Sequence, residues 1–285
     1  MTEAAGDGAR VGARTRGVRV ARLGWRVGSV ALAPVYRLYT RRLRAQVLAA
    51  TLPAHVAVIL DGNRRWASLV GLREPGAGHR HGAEKLDELL GWCSELGVSE
   101  LTVWALSSEN LAREGDELEA LLEILAGKLA ALSERRGGPA PRIRVFGRVE
   151  TLPSRLAETA RRVQAQTAGN VGLCLNVALG YSGRDELVDA TRALIRSLAA
   201  RQIPADEMAD HVDAEAIARN LYTAEHSDPE LIIRTSGEMR LSGFLPWQSS
   251  HSEFYFTDVY WPAFRELDFL RAIRTFQQRE RRFGR

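Results

Sequence analysis

Short, continuous apolar runs alternate with longer stretches of helical periodicity from residue 55 onward. The runs are typical of strands buried on both faces, and they lie at 55–60, 101–106, 143–146, 171–178 and 231–233. Apolar residues at helical spacing predict helices between and after them, at 83–96, 116–135, 152–168, 184–200, 206–221 and 263–281. Strands and helices that alternate in this way predict an α/β fold, with a parallel sheet flanked by helices on both sides.

The first 50 residues have a different character from the rest of the chain. They contain ten arginines against two acidic residues, whereas residues 51–285 carry a small net negative charge. We predict that residues 1–50 form a basic N-terminal extension and residues 51–285 one α/β domain. Within the extension, residues 1–24 are predicted to be a flexible tail and residues 34–48 a basic amphipathic helix. Two roles stay open for this helix: contact with a membrane surface, or packing on its own domain or on a partner subunit.

Charge and cysteine content exclude several classes of protein. Because the body is slightly acidic, we expect no nucleic acid as partner, although an arginine-rich binder acting through residues 10–44 remains an alternative. Cys93 and Cys174 are the only cysteines and lie far apart, which excludes a disulfide framework and suits a reducing cytoplasm. No apolar run approaches the length of a membrane span. We therefore expect a cytoplasmic protein that contacts a membrane at most peripherally.

Polar residues follow the first predicted strand, where open parallel sheets bind ligands. The segment Asp61-Gly-Asn-Arg-Arg-Trp66 combines a glycine, two arginines and the start of a helix, which together favour an anion. Asp61 would repel that anion unless a cation lay between them, so the pairing suggests Mg²⁺ bridging a carboxylate and a phosphate. The alternative is that Asp61 caps a helix and the arginines are simply solvated.

The second and fifth predicted strands also end in polar residues. Ser107, Ser108, Glu109 and Asn110 follow the second strand, where a turn that caps the next helix is the alternative. Arg234 and Arg240 lie beside small hydroxyl and glycine residues, a composition that suits a diphosphate clamp. Glu253 offers a second carboxylate further along the chain.

Several of these segments, taken in order, resemble the cis-prenyltransferases, the Z-type isoprenyl diphosphate synthases. The segments are HVAVILDGNRRWA at 55–67, LTVWALSSENLAR at 101–113, LNVALGYSGRDEL at 175–187 and the long stretch at 228–264. The resemblance implies a six-stranded parallel sheet flanked by helices, with an elongated apolar tunnel. It also implies a homodimer that uses Mg²⁺ to join isopentenyl diphosphate to an allylic diphosphate such as geranyl or dimethylallyl diphosphate.

The resemblance also implies a role for individual residues. Asp61 matches the essential carboxylate and Mg²⁺ ligand, and Glu253 matches a second Mg²⁺ ligand near the dimer interface. Asn110 matches the residue proposed as proton acceptor. The remaining positions match residues that bind the two substrates: Gly62, Asn63, Arg64, Arg65, Trp66, Arg73, His79, Ser107, Ser108, Glu109, Arg113, Arg234, Arg240, Leu241 and Ser242.

Departures from the family pattern concern the length of the product. Each buried methylene adds ~0.8 kcal/mol to binding, so a steric wall must stop chain growth. The segment PVYRLYTRRLR resembles the actinobacterial short-chain enzymes, and Leu111 stands where long-chain members typically carry tryptophan. The small Ala105 at the expected wall argues against a short product. Arg148 also departs, since it stands where an aspartate is common. We predict (2Z,6E)-farnesyl diphosphate as the product.

Three alternatives to this reading stay open. The first is an enzyme that makes a medium- or long-chain polyprenyl diphosphate. The second is head-to-middle coupling of two dimethylallyl units. The third belongs to a different class, a non-catalytic partner subunit, which the presence of Asp61, Arg65 and Glu253 disfavours.

Overall fold

The chain folds around one parallel sheet. The computed structural model describes residues 34–111, 115–134 and 140–279, so the predicted tail, Arg113 and residues 280–285 lie outside it. The strands are β1 (His55–Ile59), β2 (Glu100–Ser107), β3 (Arg142–Phe146), β4 (Cys174–Tyr181), β5 (Leu231–Arg234) and β6 (Glu253–Phe256). They lie in the order β3-β4-β2-β1-β5-β6, and every neighbouring pair is parallel. The predicted fold class is confirmed.

Helices connect and cover these strands. Residues 34–48 are helical and are called α1. The other helices are α2 (Asn63–Val70), α3 (Ala77–Leu96), α4 (Ser108–Leu111), α5 (Asp116–Ser133), α6 (Ser154–Thr167), α7 (Gly183–Ala200), α8 (Ala214–Ala218) and α9 (Glu266–Gln278). Short 3₁₀ turns add Val149–Thr151, Met208–His211 and Trp261–Ala263. None of the helices in the described ranges has the length and apolar character needed to cross a membrane.

Side chains alternate between the two faces of the sheet, and each face has its own core. Val56 and Val58 of β1 point into the larger core, which α3, α5, α6 and α9 cover. Ala57 and Ile59 point to the opposite face, where they pack with Phe244. Because both faces are buried, the strands appear in the sequence as continuous apolar runs.

Two sequence-based predictions need correction. The apolar runs gave five strands, and only the family resemblance implied six; the sixth is β6, a four-residue edge strand whose residues are all half-buried. The predicted helix at 206–221 was wrong. That segment forms a 3₁₀ turn and then the short α8, because Asp213 interrupts it and starts a new helix by accepting a hydrogen bond from the backbone N–H of Ala216 at 2.7 Å.

Helix α1 packs on the body of the protein through one side only. Leu43 and Val47 are buried in the main core, and Arg44 forms an ion pair with Glu266 of α9 at 2.8 Å. The opposite side is open, and Leu38 keeps 70% of its surface exposed. Helix α1 and the sheet thus share one core. The predicted division of the chain at residue 50 remains a prediction.

Strand register brings three polar chain ends to one edge of the sheet. Ile59 at the end of β1 pairs with Arg234 at the end of β5, and with Trp104 of β2. The ladder between β2 and β4 is irregular between Trp104 and Ser107, where β2 ends. The segments that follow β1, β2 and β5 therefore leave the sheet side by side.

Candidate active site

An ion pair stands at the carboxyl edge of the sheet. Arg234, the last residue of β5, donates from Nη2 to Oδ2 of Asp61 at 2.9 Å. Arg65, on the first turns of α2, donates from its own Nη2 to Oδ1 of the same carboxylate at 3.2 Å. Each carboxylate oxygen of Asp61 thus faces its own guanidinium.

The ion pairs keep Asp61 ionised. Its partial burial would raise the pKa of the carboxyl, but hydrogen bonds from Arg234 and Ser236 and the charges of Arg234 and Arg65 outweigh that effect and lower it. The backbone around the carboxylate is also fixed, because the N–H of Asp61 donates to Oγ1 of Thr235 at 3.0 Å. The ionised form of Asp61 is therefore favoured, and its position is fixed.

Arg234 is buried and organises the segment that follows it. Only 6% of its side chain is exposed. Its Nη1 donates to Oγ of Ser242 at 2.8 Å and to the backbone carbonyl of Arg240. Ser236 and Ser242 both adopt positive φ, which costs a non-glycine residue about 1–2 kcal/mol. A segment held in this strained form around a buried arginine is typical of a functional loop.

Two glycines allow close packing at the start of α2. Gly62 has φ 102° and lies against Tyr260, and a Cβ atom there would come within 2.6 Å of the tyrosine ring. Gly82 of α3 lies against Asn63, and its Cβ would come within 2.3 Å of the amide oxygen of Asn63. These contacts fix Asn63 beside Asp61 and leave its Oδ1 buried and unpaired.

Two connected cavities meet at Asp61. The first, of about 450 Å³, extends under the sheet edge between α3 and α5, and its deeper walls are apolar residues such as Leu86, Leu125 and Leu132. The second, of about 1110 Å³, is an open depression that contains the side chains of Arg64 and Arg65. Asp61, Asn63, His79 and Asn110 line both cavities. A polar mouth that contains arginines therefore leads into an apolar cavity, as expected for the predicted tunnel.

Most of the predicted substrate-binding residues reach one of these cavities. Ser107, Glu109 and Asn110 line the apolar cavity, and Oγ of Ser107 accepts the backbone N–H of Asn110 at 3.0 Å. Arg64 forms an ion pair with Glu117 at 2.9 Å, and His79 lies 3.5 Å from the same carboxylate oxygen. Gly62, Asn63, Arg65, Arg234 and Ser242 also line a cavity.

Other predicted residues have different partners. Trp66 packs against His81, with 4.9 Å between ring centroids, and lines neither cavity. Ser108 points away, and its Oγ donates to Oδ2 of Asp185 at 2.9 Å. Leu241 packs in the smaller core, and Arg73 is exposed on a loop. Arg240 pairs with Glu238, while its backbone carbonyl meets Arg234.

Glu253 does not meet Asp61 within one chain. It opens β6 and pairs with Leu231, whereas Phe256 at the other end of β6 pairs with Arg234. Three residues of strand place Glu253 about 10 Å from the Asp61 edge of the sheet. Its carboxylate instead forms an ion pair with Arg279. A magnesium site shared by these two carboxylates inside one chain is therefore excluded, and a shared site would require a second copy of the chain.

The structure adds site residues that the sequence analysis did not single out. Arg65 donates to Oγ of Ser236 at 2.7 Å and to Glu238 at 3.3 Å, so both hold the arginine at the mouth. Trp261 and Lys128 line the apolar cavity. Ser236 and Glu238 lie between Arg234 and Arg240 in the sequence. Their position in this predicted substrate-binding segment could have identified them as site residues.

Comparison with known proteins shows which family the chain belongs to. The family model described as "Putative undecaprenyl diphosphate synthase" matches residues 59–284, which is most of the chain. The chain belongs to this family. The cis-prenyltransferase resemblance is thereby confirmed, and so is the expectation of an enzyme that forms isoprenyl diphosphates rather than a non-catalytic subunit.

Relatives within the undecaprenyl diphosphate synthase family include short-chain enzymes. The chain is 51% identical to a (2Z,6E)-farnesyl diphosphate synthase from Thermobifida fusca, over 88% of this chain and 97% of that protein. It is 47% identical to a short-chain Z-isoprenyl diphosphate synthase from Mycobacterium leprae, over 88% and 96%. Among solved structures, lavandulyl diphosphate synthase from Lavandula x intermedia in complex with dimethylallyl diphosphate matches with a TM-score of 0.76 and 31% identity, over 82% and 99%.

Proposed function

We propose that the protein joins isopentenyl diphosphate to a short allylic diphosphate and forms a cis double bond, with (2Z,6E)-farnesyl diphosphate as the product. The observation that carries the proposal is the junction of two environments at Asp61. Arginines suited to diphosphates surround the carboxylate, and an apolar cavity suited to a hydrocarbon chain begins beside it. A diphosphate with an apolar tail matches both environments at once.

The two diphosphates would occupy different sides of Asp61. The open depression, with Arg64, Arg65 and the backbone at the start of α2, suits the allylic diphosphate, because a helix N-terminus and guanidiniums both attract anions. Arg234, Arg240 and Ser242 suit isopentenyl diphosphate. This arrangement stabilises the negative charge that develops on the leaving diphosphate when the allylic C–O bond breaks.

Magnesium fits the chemistry of the mouth. The described ranges contain no cluster of three or more His, Cys, Asp or Glu side chains that could hold a metal ion by itself. Mg²⁺ does not need such a group, because it is commonly held by one or two carboxylates together with substrate phosphates. Asp61 is the ionised carboxylate that would hold it within one chain. When bound, the ion would supply charge neutralisation for the leaving diphosphate.

Asn110 is placed to assist loss of the proton. It lines both cavities, so its amide can reach the reacting carbons of the two substrates. A neutral amide is a poor base, so we infer that Asn110 orients the departing proton towards a diphosphate oxygen or a water molecule. The hydrogen bond between the backbone of Asn110 and Ser107 fixes the turn from which it acts.

A short product is favoured over a long one by the relatives. The proteins from Thermobifida fusca and Mycobacterium leprae both carry short-chain names. The alternative is a longer product, because Ala105 leaves room in the cavity wall and because a relative from Methanopyrus kandleri, 45% identical, is named an undecaprenyl diphosphate synthase. Coupling of dimethylallyl units is the further alternative, given the match to lavandulyl diphosphate synthase.

We further propose a cytoplasmic homodimer that contacts a membrane surface through α1. Edge strand β6, with half-buried Phe254 and Phe256, offers an apolar surface for a second copy. The open side of α1 presents Leu38 beside exposed arginines, a pattern suited to anionic lipid headgroups. Sedimentation of the full chain, with and without anionic vesicles, tests both statements.

The reaction itself is tested with defined substrates. Purified protein is incubated with Mg²⁺, isopentenyl diphosphate and, in separate reactions, dimethylallyl, geranyl or farnesyl diphosphate, with chelator as control. Mass and double-bond geometry of the products are then measured. The proposal expects a product one cis unit longer than geranyl diphosphate, and it fails if no metal-dependent condensation occurs. Products of many units would select the long-chain alternative.

A further inference from the structure

We propose that Lys128, held by Asp87, narrows the apolar cavity and limits the length of the product chain. The inference rests on the proposed function and names the residue that limits the growing hydrocarbon. Lys128 lies on α5 and lines the cavity, and its ammonium forms an ion pair with Asp87 of α3. The pair joins the two helices that form the long walls of the cavity.

The position of the pair along the cavity follows from the direction of the helices. His79 lines the mouth near the start of α3, and α3 then runs away from the mouth to Leu96. Asp87 therefore lies about 12 Å deeper than His79, at a helical rise of ~1.5 Å per residue. Leu118 lines the open depression near the start of α5, and Lys128 lies about 15 Å further along that helix. The ion pair therefore lies beside the cavity, well below the reacting centre.

Lys128 is distinctive among the lining residues. Asp61, Glu109 and Arg234 are charged but stand at the mouth, whereas Lys128 is the formally charged side chain among the deeper lining residues that the structure describes. Its side chain is only 15% exposed, while that of Asp87 is 48% exposed. The lysine thus extends its methylene stem along the cavity wall and carries its charge outwards to the surface.

This arrangement makes Lys128 a fixed constriction of the cavity rather than an adaptable part of its wall. The stem cannot turn into the cavity without bringing an ammonium group into an apolar space, which is strongly unfavourable. It cannot swing outwards freely either, because Asp87 holds its end. Ala105, which faces the same core from β2, is too small to block the chain. Leu132 lies about one turn deeper and also lines the cavity, so space for a longer chain continues behind this constriction.

The test compares the product lengths of four variants with those of the wild-type full chain. Lys128→Ala removes stem and charge, Lys128→Met keeps the stem without the ion pair, and Asp87→Asn releases the end of the stem. Lys85→Ala is the matched control: it is the only other lysine of the chain, it is similarly buried, and it pairs with Glu88 on its own helix without lining the cavity. Each protein receives Mg²⁺, geranyl diphosphate and excess isopentenyl diphosphate, and products are separated by mass.

Lys128→Ala is expected to lengthen the main product by at least one isoprene unit, and Lys128→Met and Asp87→Asn to add a smaller fraction of longer chains. Lys85→Ala should keep the wild-type distribution. A wild-type distribution from Lys128→Ala overturns the inference, as does equal lengthening by Lys85→Ala. Should Lys128→Ala fail to fold, unchanged distributions from both milder variants overturn it. Absence of condensation by the wild type would instead refute the proposed function.

Discussion

Arg234 reaches across from the end of β5 to Asp61 at the end of β1, with 2.9 Å between Nη2 and Oδ2. The arginine is almost fully buried, and the carboxylate that it holds faces the mouth of the apolar cavity. Neither residue is close to the other in sequence. Parallel strands bring them together, because their carboxyl ends meet at one edge of the sheet.

Replacing Asp61 by asparagine should abolish most of the activity without unfolding the protein. The amide retains the size of the side chain and one oxygen for Arg234, but it removes the negative charge that would hold Mg²⁺. We expect kcat to fall about 100-fold or more, as is typical when a group that stabilises developing charge is lost. Release of diphosphate measures the rate. Glu215→Gln, at a side chain 81% exposed on α8, is the control. Turnover near the wild-type level in Asp61→Asn would refute the assignment.

Two glycines of α3 should respond in opposite ways to alanine. In Gly82→Ala the new Cβ would stand 2.3 Å from the amide oxygen of Asn63, so Asn63 must move in the site, and we expect activity to fall about tenfold or more. At Gly91, no neighbouring atom lies within 4 Å of the position that a Cβ would occupy. Gly91→Ala should therefore leave activity unchanged and raise stability by about 0.5–1 kcal/mol, because alanine favours the helix. Steady-state kinetics and urea unfolding measure the two effects, and equal activity in both variants would contradict the expectation.

Much of the sheet could be predicted from the sequence because its strands are buried on both faces. Val56, Val58 and Ile233 belong to uninterrupted apolar runs, which few other structures produce. Strand β6 was not found in this way, because its apolar run is only the three residues that follow Glu253 and its residues are only half-buried. The single helix predicted at 206–221 was wrong because apolar residues at helical spacing continue on both sides of Asp213, although the chain starts a new short helix there.

Site residues could be predicted where they directly follow a buried strand. Asp61 and Asn110 were found in this way, and both line the cavity. Side-chain direction could not be predicted, so Ser108 was grouped with Ser107 although its hydroxyl points to Asp185. Glu253 could not be placed either, because β6 was not predicted as a strand, and Glu253 lies at its amino end, opposite to the edge that carries Asp61.

The hydrogen bond from Ser108 belongs to a network that we expect to position Asn110. Arg148 donates to Asp189 of α7 at 2.8 Å and pairs with Asp185 at 3.0 Å, and Asp185 in turn accepts from Ser108. Asp185→Ala should therefore loosen the turn that carries Asn110 and lower kcat about tenfold, with KM for isopentenyl diphosphate little changed.

Arg192→Ala provides the matched control for this network. Arg192 also pairs with Asp189, at 3.4 Å, but contacts neither Asp185 nor Ser108 among its described partners. Its removal should leave kcat unchanged. A purely structural role for Asp185 would instead lower the unfolding midpoint while kcat stays the same, and that result would contradict the prediction.

The same network should make stability depend on pH in the acid range. Hydrogen bonding from Arg148 outweighs the opposing effect of burial and lowers the pKa of Asp189 from 3.8 to about 2. A carboxylate with a lowered pKa contributes stability that is fully present above its unfolded-state pKa and is lost as pH falls through its folded-state pKa. The contribution of Asp189 should therefore be constant at neutral pH and disappear as pH falls from 3.8 towards 2.

Urea unfolding of wild type and Asp189→Asn at several pH values measures this contribution. The difference between their midpoints should be largest near neutral pH and shrink below pH 3.8. Asp206→Asn, at an exposed position, serves as the control and should show a small difference at every pH. A midpoint difference for Asp189→Asn that does not change with pH would show that the ion pair with Arg148 is not its source.

A buried carboxylate that contacts the loop after β5 should be among the most stability-critical groups. Glu186 of α7 is 1% exposed, and burial raises the pKa of its carboxyl, although its hydrogen bonds oppose that effect. It accepts from the hydroxyl of Tyr181 at 2.6 Å, from Gln248 at 3.1 Å and from the backbone N–H of Tyr222 at 3.0 Å. It thereby joins β4, the loop after β5 and the chain that follows α8.

Glu186→Ala would remove the acceptor of the Tyr181 hydroxyl and of the Tyr222 N–H, whereas Gln248 keeps Thr223 as a second acceptor. Each donor left unpaired costs about 1–3 kcal/mol. We therefore expect a loss of about 3 kcal/mol or more in the free energy of unfolding, measured with urea. Glu215→Ala, on the exposed side of α8, should change it by less than about 0.5 kcal/mol. Because Gln248 follows the segment that carries Ser242, the variant that remains folded should also bind isopentenyl diphosphate more weakly. Wild-type stability in Glu186→Ala would mean that water can replace the carboxylate in this pocket.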